Sequence, residues 1–316
     1  MRIQPQRVAV GVDVGGTKIA FVLAADDGHV LAERTEPTQA ADGPDAVIAR
    51  MAATIQQLSS GHDLAGIGVA CPGPIDAEAG IARSAVNLGW RDVPLRDGLR
   101  ASGGFSTPIW VENDTNAAAL GEGVFGAARG LRNFVYAAAG TGLGGGAVVN
   151  GQIVDGANGM AMEIGHMVIH PGGRLCSCGQ RGCVEMYASG KGLIAGVAEH
   201  RSAYPRSLLR ADESPTTHAI IAAARAGDPL AQYVIGEAAE ALGVTFAWCA
   251  ALLNPALIVV AGGVAGALGA RLLEPAEAVL KARVLPEASA DLRVVPSQIQ
   301  TPALGPAALV WRNLTA

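Results

Sequence analysis

Val8-Ala-Val-Gly11-Val-Asp13-Val-Gly15-Gly16-Thr17-Lys18-Ile19-Ala-Phe-Val-Leu23 decides how the chain folds. Two short apolar runs, Val8–Val12 and Ile19–Leu23, flank a glycine pair, which reads as strand, tight turn and returning strand. Asp26-Asp27-Gly28 turns the chain again into a third run, His29–Glu33, completing a three-strand meander. The pattern restarts at Phe134–Ala138, a Gly140–Gly146 turn and Ala147–Val149. Helical periodicity covers Pro44–Leu58 through Val47, Ile48, Met51, Ile55 and Leu58, and Leu64–Ala70 returns as a strand. Ile109–Val111 is a further strand, followed by a helix over Thr115–Gly123, and helices fill much of 186–253. Strands alternating with helices give an α/β class. Two similar halves, each opened by a glycine-turn hairpin, imply two domains with a cleft between them.

The glycine turns are phosphate-loop candidates that match neither standard loop. In Gly11-Val-Asp13-Val-Gly15-Gly16-Thr17-Lys18 the threonine stands where a P-loop needs its lysine, and Ile19 begins a strand rather than a helix. Gly140-Thr141-Gly142-Leu-Gly144-Gly145 matches the dinucleotide string, yet Ala147-Val148-Val149 also continues as a strand. It resembles a protein-kinase glycine loop too, but no kinase catalytic loop follows. As hairpin turns, both still expose backbone N–H groups to an anion. Thr17 adds a hydroxyl and Lys18 a charge, while Asp13 could hold Mg²⁺ through water. Ala261-Gly262-Gly263, between a strand and a helix, is a third loop that either approaches a nucleotide or simply allows close packing.

Between these loops lies Glu112-Asn113-Asp114-Thr115-Asn116, at a strand-to-helix junction. One reading makes Asp114 the N-cap of the following helix. The other makes it a general base, since phosphoryl transfer needs a carboxylate within reach of the acceptor hydroxyl, with Asn113 orienting the substrate.

Glu163-Ile-Gly-His166 and Cys176-Ser-Cys178-Gly-Gln-Arg-Gly-Cys183-Val-Glu185 place one His, three Cys and two Glu in a short span. His166, Cys176, Cys178 and Cys183 form a closed tetrahedral donor set, so the expected Zn²⁺ is structural and leaves no position for water. The alternatives are a disulfide or three unrelated thiols, and nothing marks the chain as secreted. Cys71 and Cys249 sit in apolar strings and read as buried small hydrophobes. His170, His200 and His218 are given no role.

Composition narrows the classes. The 316 residues are half hydrophobic, with 42 glycines and a formal charge of −5, so no basic field attracts nucleic acid. Met1–Arg7 is polar and Asp13 interrupts the next apolar run, which is not the build of a signal peptide, and a cytoplasmic location is expected. The segment from Glu240 to Arg271 carries no charge between its ends, but Asn254-Pro255 and Gly262-Gly263 divide it. It reads as a helix ending near Leu253, a strand Ala256–Val260, a turn and a second helix, not as a membrane span.

Taken together, Asp13–Lys18, Cys71-Pro-Gly73-Pro74, Glu112–Asn116, Gly140–Gly146, the His/Cys run and Ala261–Gly263 resemble the ROK family of sugar kinases and sugar-sensing repressors. The resemblance implies an actin-like, ribonuclease H-like sugar kinase fold with an interdomain cleft. Residues 1–115 would form the small domain, rejoined by a last helix within 302–316, and 116–301 the large one. It implies transfer from ATP to a hexose, usually at the 6-hydroxyl, with Mg²⁺ and structural Zn²⁺. Gly73, Asn113, Asp114, Glu163, His166 and Glu185 would hold the sugar, with Asp114 as base. Asp13, Gly15, Gly16, Thr17, Lys18, Gly140, Thr141, Gly142, Gly262 and Gly263 would hold the nucleotide. His166 would serve twice, one ring nitrogen on zinc and the other toward a sugar hydroxyl. Relatives often form homodimers or homotetramers.

Ala117-Ala-Ala-Leu-Gly-Glu122 is closer to the family's glucokinases than to its N-acetylglucosamine and N-acetylmannosamine kinases, which remain the alternative. A repressor would carry a DNA-binding helix-turn-helix before the first glycine motif, where twelve residues stand. Asn87-Leu-Gly-Trp90 is shorter than the family's usual string there, which bears on sugar preference.

Overall fold

The computed structural model describes residues 6–209 and 214–315. The polar opening, up to residue 5, and residues 210–213 within the expected helical stretch fall outside it. The chain forms two compact units. The first comprises the chain up to Leu131, Ile153–Ala161 and the chain from Gln298 onward; the second comprises Arg132–Gln152 and Met162–Ser297.

In the first unit β1 (Arg7–Val14), β2 (Lys18–Ala24) and β3 (Val30–Pro37) form the expected antiparallel meander. β3 runs beyond the expected His29–Glu33, because its pairing with β2 continues to Lys18 opposite Pro37. Helix α1 (Pro44–Ser59) leads to β4 (Asp63–Cys71), which lies parallel to β1. A small antiparallel sheet follows, built from β5 (Ile75–Asp76), β6 (Ile81–Ala85) and β7 (Trp90–Val93). Its strands are too short to show a period in the sequence. Helix α2 (Leu95–Gly103), β8 (Ile109–Asn113) and α3 (Asp114–Val124) complete the run, and the main sheet order is β3-β2-β1-β4-β8.

The second unit repeats this plan. β9 (Phe134–Ala139), β10 (Leu143–Val149), β11 (Gln152–Ile153), β12 (Leu257–Ala261) and β13 (Arg293–Pro296) stand in the order β11-β10-β9-β12-β13. Here too β12 and β13 are parallel additions beside an antiparallel hairpin. The turn is shorter than expected, since Gly144–Gly146 already belong to β10. Gly145 packs against Ile164 and the Met162 carbonyl, where a Cβ would come within 2.9 Å, so these glycines serve close packing within a strand. This duplicated sheet is the ribonuclease H-like plan that the resemblance implied.

The helices of the second unit are α4 (Glu185–Ala188), α5 (Gly190–His200), α6 (Thr217–Arg225), α7 (Pro229–Leu253), α8 (Gly263–Leu268), α9 (Ala270–Lys281) and α10 (Pro286–Ser289). α7 is long and apolar enough to cross a membrane, but two thirds of its most apolar window is buried inside the protein. It is the central core helix of its unit, with Val234, Leu242 and Phe246 inaccessible.

The last helix, α11 (Leu304–Thr315), packs on the first unit's sheet, and its position follows from residue size. Along β1, Val8, Val10, Val12 and Val14 point to one face and meet Val47, Met51 and Ile55 of α1. Ala9 and Gly11 point to the other, with Ala303, Ala307 and Val310. Gly11 and Gly68 have no room for a Cβ, which would overlap Ala303 O and Pro306 O respectively. Small residues on two adjacent strands thus let a helix backbone lie directly on the sheet. The divide between units falls at Leu131 rather than 115, because α3 also packs on α11, with Gly121 against Gly305.

Candidate active site

In the first unit the glycine turn is held by its own backbone and by a residue with no sequence signal. Gly15 N–H donates to Lys18 O at 2.9 Å. The fully buried Thr38, just past β3, donates its hydroxyl to Gly15 O at 2.6 Å and its N–H to Thr17 O at 3.0 Å. Asn87 lies against Gly16, where a Cβ would meet it at 3.1 Å. Thr17 and Lys18 are exposed.

Asp13 is next to last on β1, on the Ala9–Gly11 face by alternation. Burial, then the neighbouring Asp114 charge, push its carboxyl up to about 6, with Lys18 opposing. Cys71 is buried as expected, and its thiol is raised to about 12 by burial and by the charges of Asp114 and Asp13. Burial raises the Asp114 carboxyl too, against hydrogen bonds that lower it.

The capping expectation is corrected here. Asn113, not Asp114, caps α3: its Oδ1 accepts from Thr115 N at 3.0 Å and Asn116 N at 3.1 Å. Asn113 Nδ2 donates to Gly73 O at 3.1 Å, tying the junction to Gly73, whose φ of +85° and contact with Ser84 O require glycine. Asp114 is therefore the first residue of the helix, and its Oδ1 accepts from Thr115 N at 2.8 Å. The two side chains thus share the Thr115 N–H, while Asn113 alone reaches Asn116 N.

Behind this junction is a polar pocket of about 570 Å³ that includes Glu112, Asn116 and Asp155. Asn116 Nδ2 donates to Glu112 Oε1 at 3.2 Å and to Asp155 Oδ1 at 3.0 Å. Burial raises both carboxyls, and Arg312 opposes the rise in each. Asp155 is distant in sequence and had no signal.

In the second unit the candidate residues gather around Leu143, the first residue of β10. Leu143 N–H donates to Glu185 Oε2 at 3.1 Å, and Gly165 is so close to Leu143 O that a Cβ would overlap it. Gly165 lies in the single helical turn Ile164–His166, so Glu163, His166 and Glu185 flank one point of the sheet. Met162 introduces this turn with φ +63°, a strained conformation for a residue with a Cβ. The glycine turn abuts the same place: Gly140 N–H donates to Gly142 O, while Gly190 N–H at the start of α5 donates to Gly140 O at 2.8 Å. Gly263 N lies 4.0 Å from where a Gly140 Cβ would be, and Gly262, at φ +95°, packs on the Ala139 backbone. The second and third loops are thus neighbours.

His166 Nδ1 and the sulfurs of Cys176, Cys178 and Cys183 all lie within 4.8 Å of one another. Cys176 Sγ is 3.6 Å from His166 Nδ1, and Cys178 Sγ is 3.6 Å from Cys183 Sγ. A tetrahedron with Zn–S of about 2.3 Å and Zn–N of about 2.0 Å has edges near these lengths. The cysteines are free rather than bridged. Gly179 N–H closes a tight turn on Cys176 O, and Gly182 (φ +84°) fits against His170 O where no side chain could.

Arg174 anchors the loop from outside the donor set. Its guanidinium donates to Glu199 Oε2 at 2.6 Å, to Glu237 Oε2 at 2.7 Å and to Met186 O at 3.0 Å, and lies 4.4 Å from the centre of the Tyr187 ring. His200 completes this network at 3.2 Å from Glu237 Oε1, and His170 packs edge-on against Tyr187. Both are structural.

The chain is 39% identical over 297 residues to a glucokinase of Halalkalibacterium halodurans, covering 90% of this chain and 89% of that one. A ROK family glucokinase from Streptomyces griseus, solved in complex with glucose and AMPPNP, superposes with a TM-score of 0.80 at 32% identity, covering 97% and 99% of the two chains. A ROK family transcriptional regulator, a homologue of an Escherichia coli regulator, superposes with a TM-score of 0.87 at 29% identity, and 78% of its length is covered. The family model matches residues 9–313, and the chain belongs to the ROK family.

Proposed function

We propose that the protein is an ATP-dependent hexose kinase whose acceptor is glucose, a glucokinase forming glucose 6-phosphate and ADP. The observation that carries this reading is Asp114: a half-buried carboxylate at the head of a helix that another residue caps, with its proton affinity raised by loss of solvent. A base with raised affinity takes a hydroxyl proton more readily near neutral pH. Glucokinase relatives at the identities given above support the choice of sugar.

In this reading Asp114 Oδ2 receives the proton of the 6-hydroxyl as that oxygen attacks the γ-phosphorus of ATP. Asn113 and Gly73 hold the sugar beside it. Glu163, the Nε2 of His166 and Glu185 take the remaining hydroxyls, since Nδ1 of His166 is turned toward Cys176. Gly15, Gly16, Thr17 and Lys18, and likewise Gly140, Thr141 and Gly142, would present N–H groups and charge to the phosphates, and Gly262 and Gly263 would approach the adenosine.

Two metals fit the residues present. His166, Cys176, Cys178 and Cys183 would hold Zn²⁺, which fixes the loop and the His166 tautomer. Asp13, a half-buried carboxylate raised further by the charge of Asp114, would hold Mg²⁺, which would offset charge on the transferring phosphoryl group. The reading also includes a cytoplasmic site of action and a homodimer or homotetramer, for which the exposed Leu252 and Leu285 of the second unit offer apolar surface.

The test is ADP release with Mg-ATP against glucose, mannose, N-acetylglucosamine and N-acetylmannosamine. Highest kcat/KM on glucose is the expected result. Preference for an N-acetylated sugar would move the assignment to that kinase class. Absence of turnover on all four would overturn the kinase reading.

A further inference from the structure

Lys191 has no assigned part in the site described above, yet it stands where that site's negative charge concentrates. Glu185 is 7% exposed, and its two oxygens have different partners. Oε2 accepts from Leu143 N–H, while Oε1 faces Lys191 Nζ at 3.7 Å. The lysine side chain is half exposed, so this ion pair is screened and readily exchanged.

The backbone of Lys191 is fixed beside the glycine turn. Its N–H donates to Thr141 O at 3.3 Å, next to the Gly190 N–H bond to Gly140 O, and Ser189 caps α5 through Gly192 N. The Cα therefore stays in place while the flexible four-carbon stem moves the ammonium. The turn also rests directly on the carboxylate, since a Cβ on Gly142 would lie 2.6 Å from Glu185 Oε2. A polyphosphate drawn to the turn's N–H groups would meet the Glu185 charge at short range, and Lys191 is the cation positioned to stand between them.

We infer that Lys191 is a nucleotide-phosphate contact that exchanges between Glu185 and the bound phosphates. Without nucleotide, the ammonium neutralises Glu185. With nucleotide it turns to the phosphates, and Glu185 Oε1 becomes available to a sugar hydroxyl. Nucleotide and hexose binding are then coupled, each tightening the other by the same factor. The inference rests on reading the Gly140–Gly142 turn as a phosphate cradle.

The test is calorimetric titration of wild type, Lys191→Met and Lys191→Arg with Mg-ADP, adenosine and glucose, glucose being titrated with and without a non-hydrolysable ATP analogue. Loss of one charge-assisted phosphate contact weakens Mg-ADP binding by about 10- to 100-fold in Lys191→Met. Adenosine affinity stays unchanged, and Lys191→Arg restores Mg-ADP affinity to within about threefold. Wild type binds glucose more tightly with the analogue present, and Lys191→Met loses that difference. Unchanged Mg-ADP affinity in Lys191→Met, with zinc content and circular dichroism normal, would overturn the inference. So would an equal loss for adenosine, which signals a general disturbance of the loop. The Mg-ADP titration reads Lys191 even where no sugar is phosphorylated, so its failure is distinct from failure of the kinase reading.

Discussion

Replacing Asp13 by Asn should make the protein more stable while disabling it. Burial, then the Asp114 charge, raise the Asp13 carboxyl from an ordinary 3.8 to about 6, against the pull of Lys18. At about 1.4 kcal/mol per pH unit, holding the ionised form in the folded chain costs about 3 kcal/mol. Asparagine has nearly the shape of the protonated acid and cannot ionise, so most of that cost disappears. Loss of the Lys18 attraction and the hydrogen-bonding needs of a buried amide reduce the gain to about 2 kcal/mol, or roughly 5 °C in Tm for a unit of this size. The pH dependence carries the sign. Below about pH 3 the carboxyl is protonated in both states, and the variant has little advantage. Between about 4 and 6 the unfolded chain ionises first while the native state keeps its proton, so wild-type stability falls as pH rises. Above about 6 the loss is complete. Calorimetry without metal or nucleotide should therefore show the two Tm values separated by clearly less at about pH 4.5 than at about pH 8. A difference that is the same at both pH values, or a variant less stable at the higher one, would refute the reasoning. In the same protein, turnover with Mg-ATP should fall by on the order of 10²-fold or more, while glucose still binds.

Asp114→Asn should lower kcat by about 10²- to 10⁴-fold with little change in glucose affinity, because the cap on α3 belongs to Asn113. Near-normal turnover would remove Asp114 from the role of base. Cys178→Ser opens a closed donor set at its exposed corner, so elemental analysis should find bound zinc lost and glucose titration should give weaker binding. Full zinc content in that variant would show that Cys178 is not a ligand. Gly68→Ala forces a methyl group into the Pro306 carbonyl, which neither strand nor helix can yield cheaply. The expected loss is about 3 kcal/mol or more, read by urea unfolding, and a loss below about 1 kcal/mol would mean that α11 is less closely seated than the structure has it.

The elements that were legible in the sequence share a local cause. The meander declares itself because Val8–Val12 and Ile19–Leu23 are apolar runs joined by a turn that only glycine fits well. The His/Cys cluster declares itself because four potential donors lie within one stretch of chain and their chemistry needs no long-range partner. The small sheet β5-β6-β7 stayed hidden because strands of two to five residues carry no period. Thr38 and Asp155 stayed hidden for another reason: an isolated threonine or aspartate acquires meaning only from what the fold sets beside it. Which of Asn113 and Asp114 caps α3 is not written in the sequence, because the two are adjacent and both suit a cap, and one residue of helix phase separates them.

By itself the sequence determined the α/β alternation, the duplicated glycine hairpins and the His/Cys grouping, because each is a pattern of neighbours along the chain. Only the tertiary structure decided that Asn113 rather than Asp114 caps α3, that Asp13 feels the Asp114 charge, and that Glu185 lies under the Gly142 turn with Lys191 against it. Those relations depend on burial and on distances between residues far apart in the chain. Packing sets these quantities, and the order of residues does not display them.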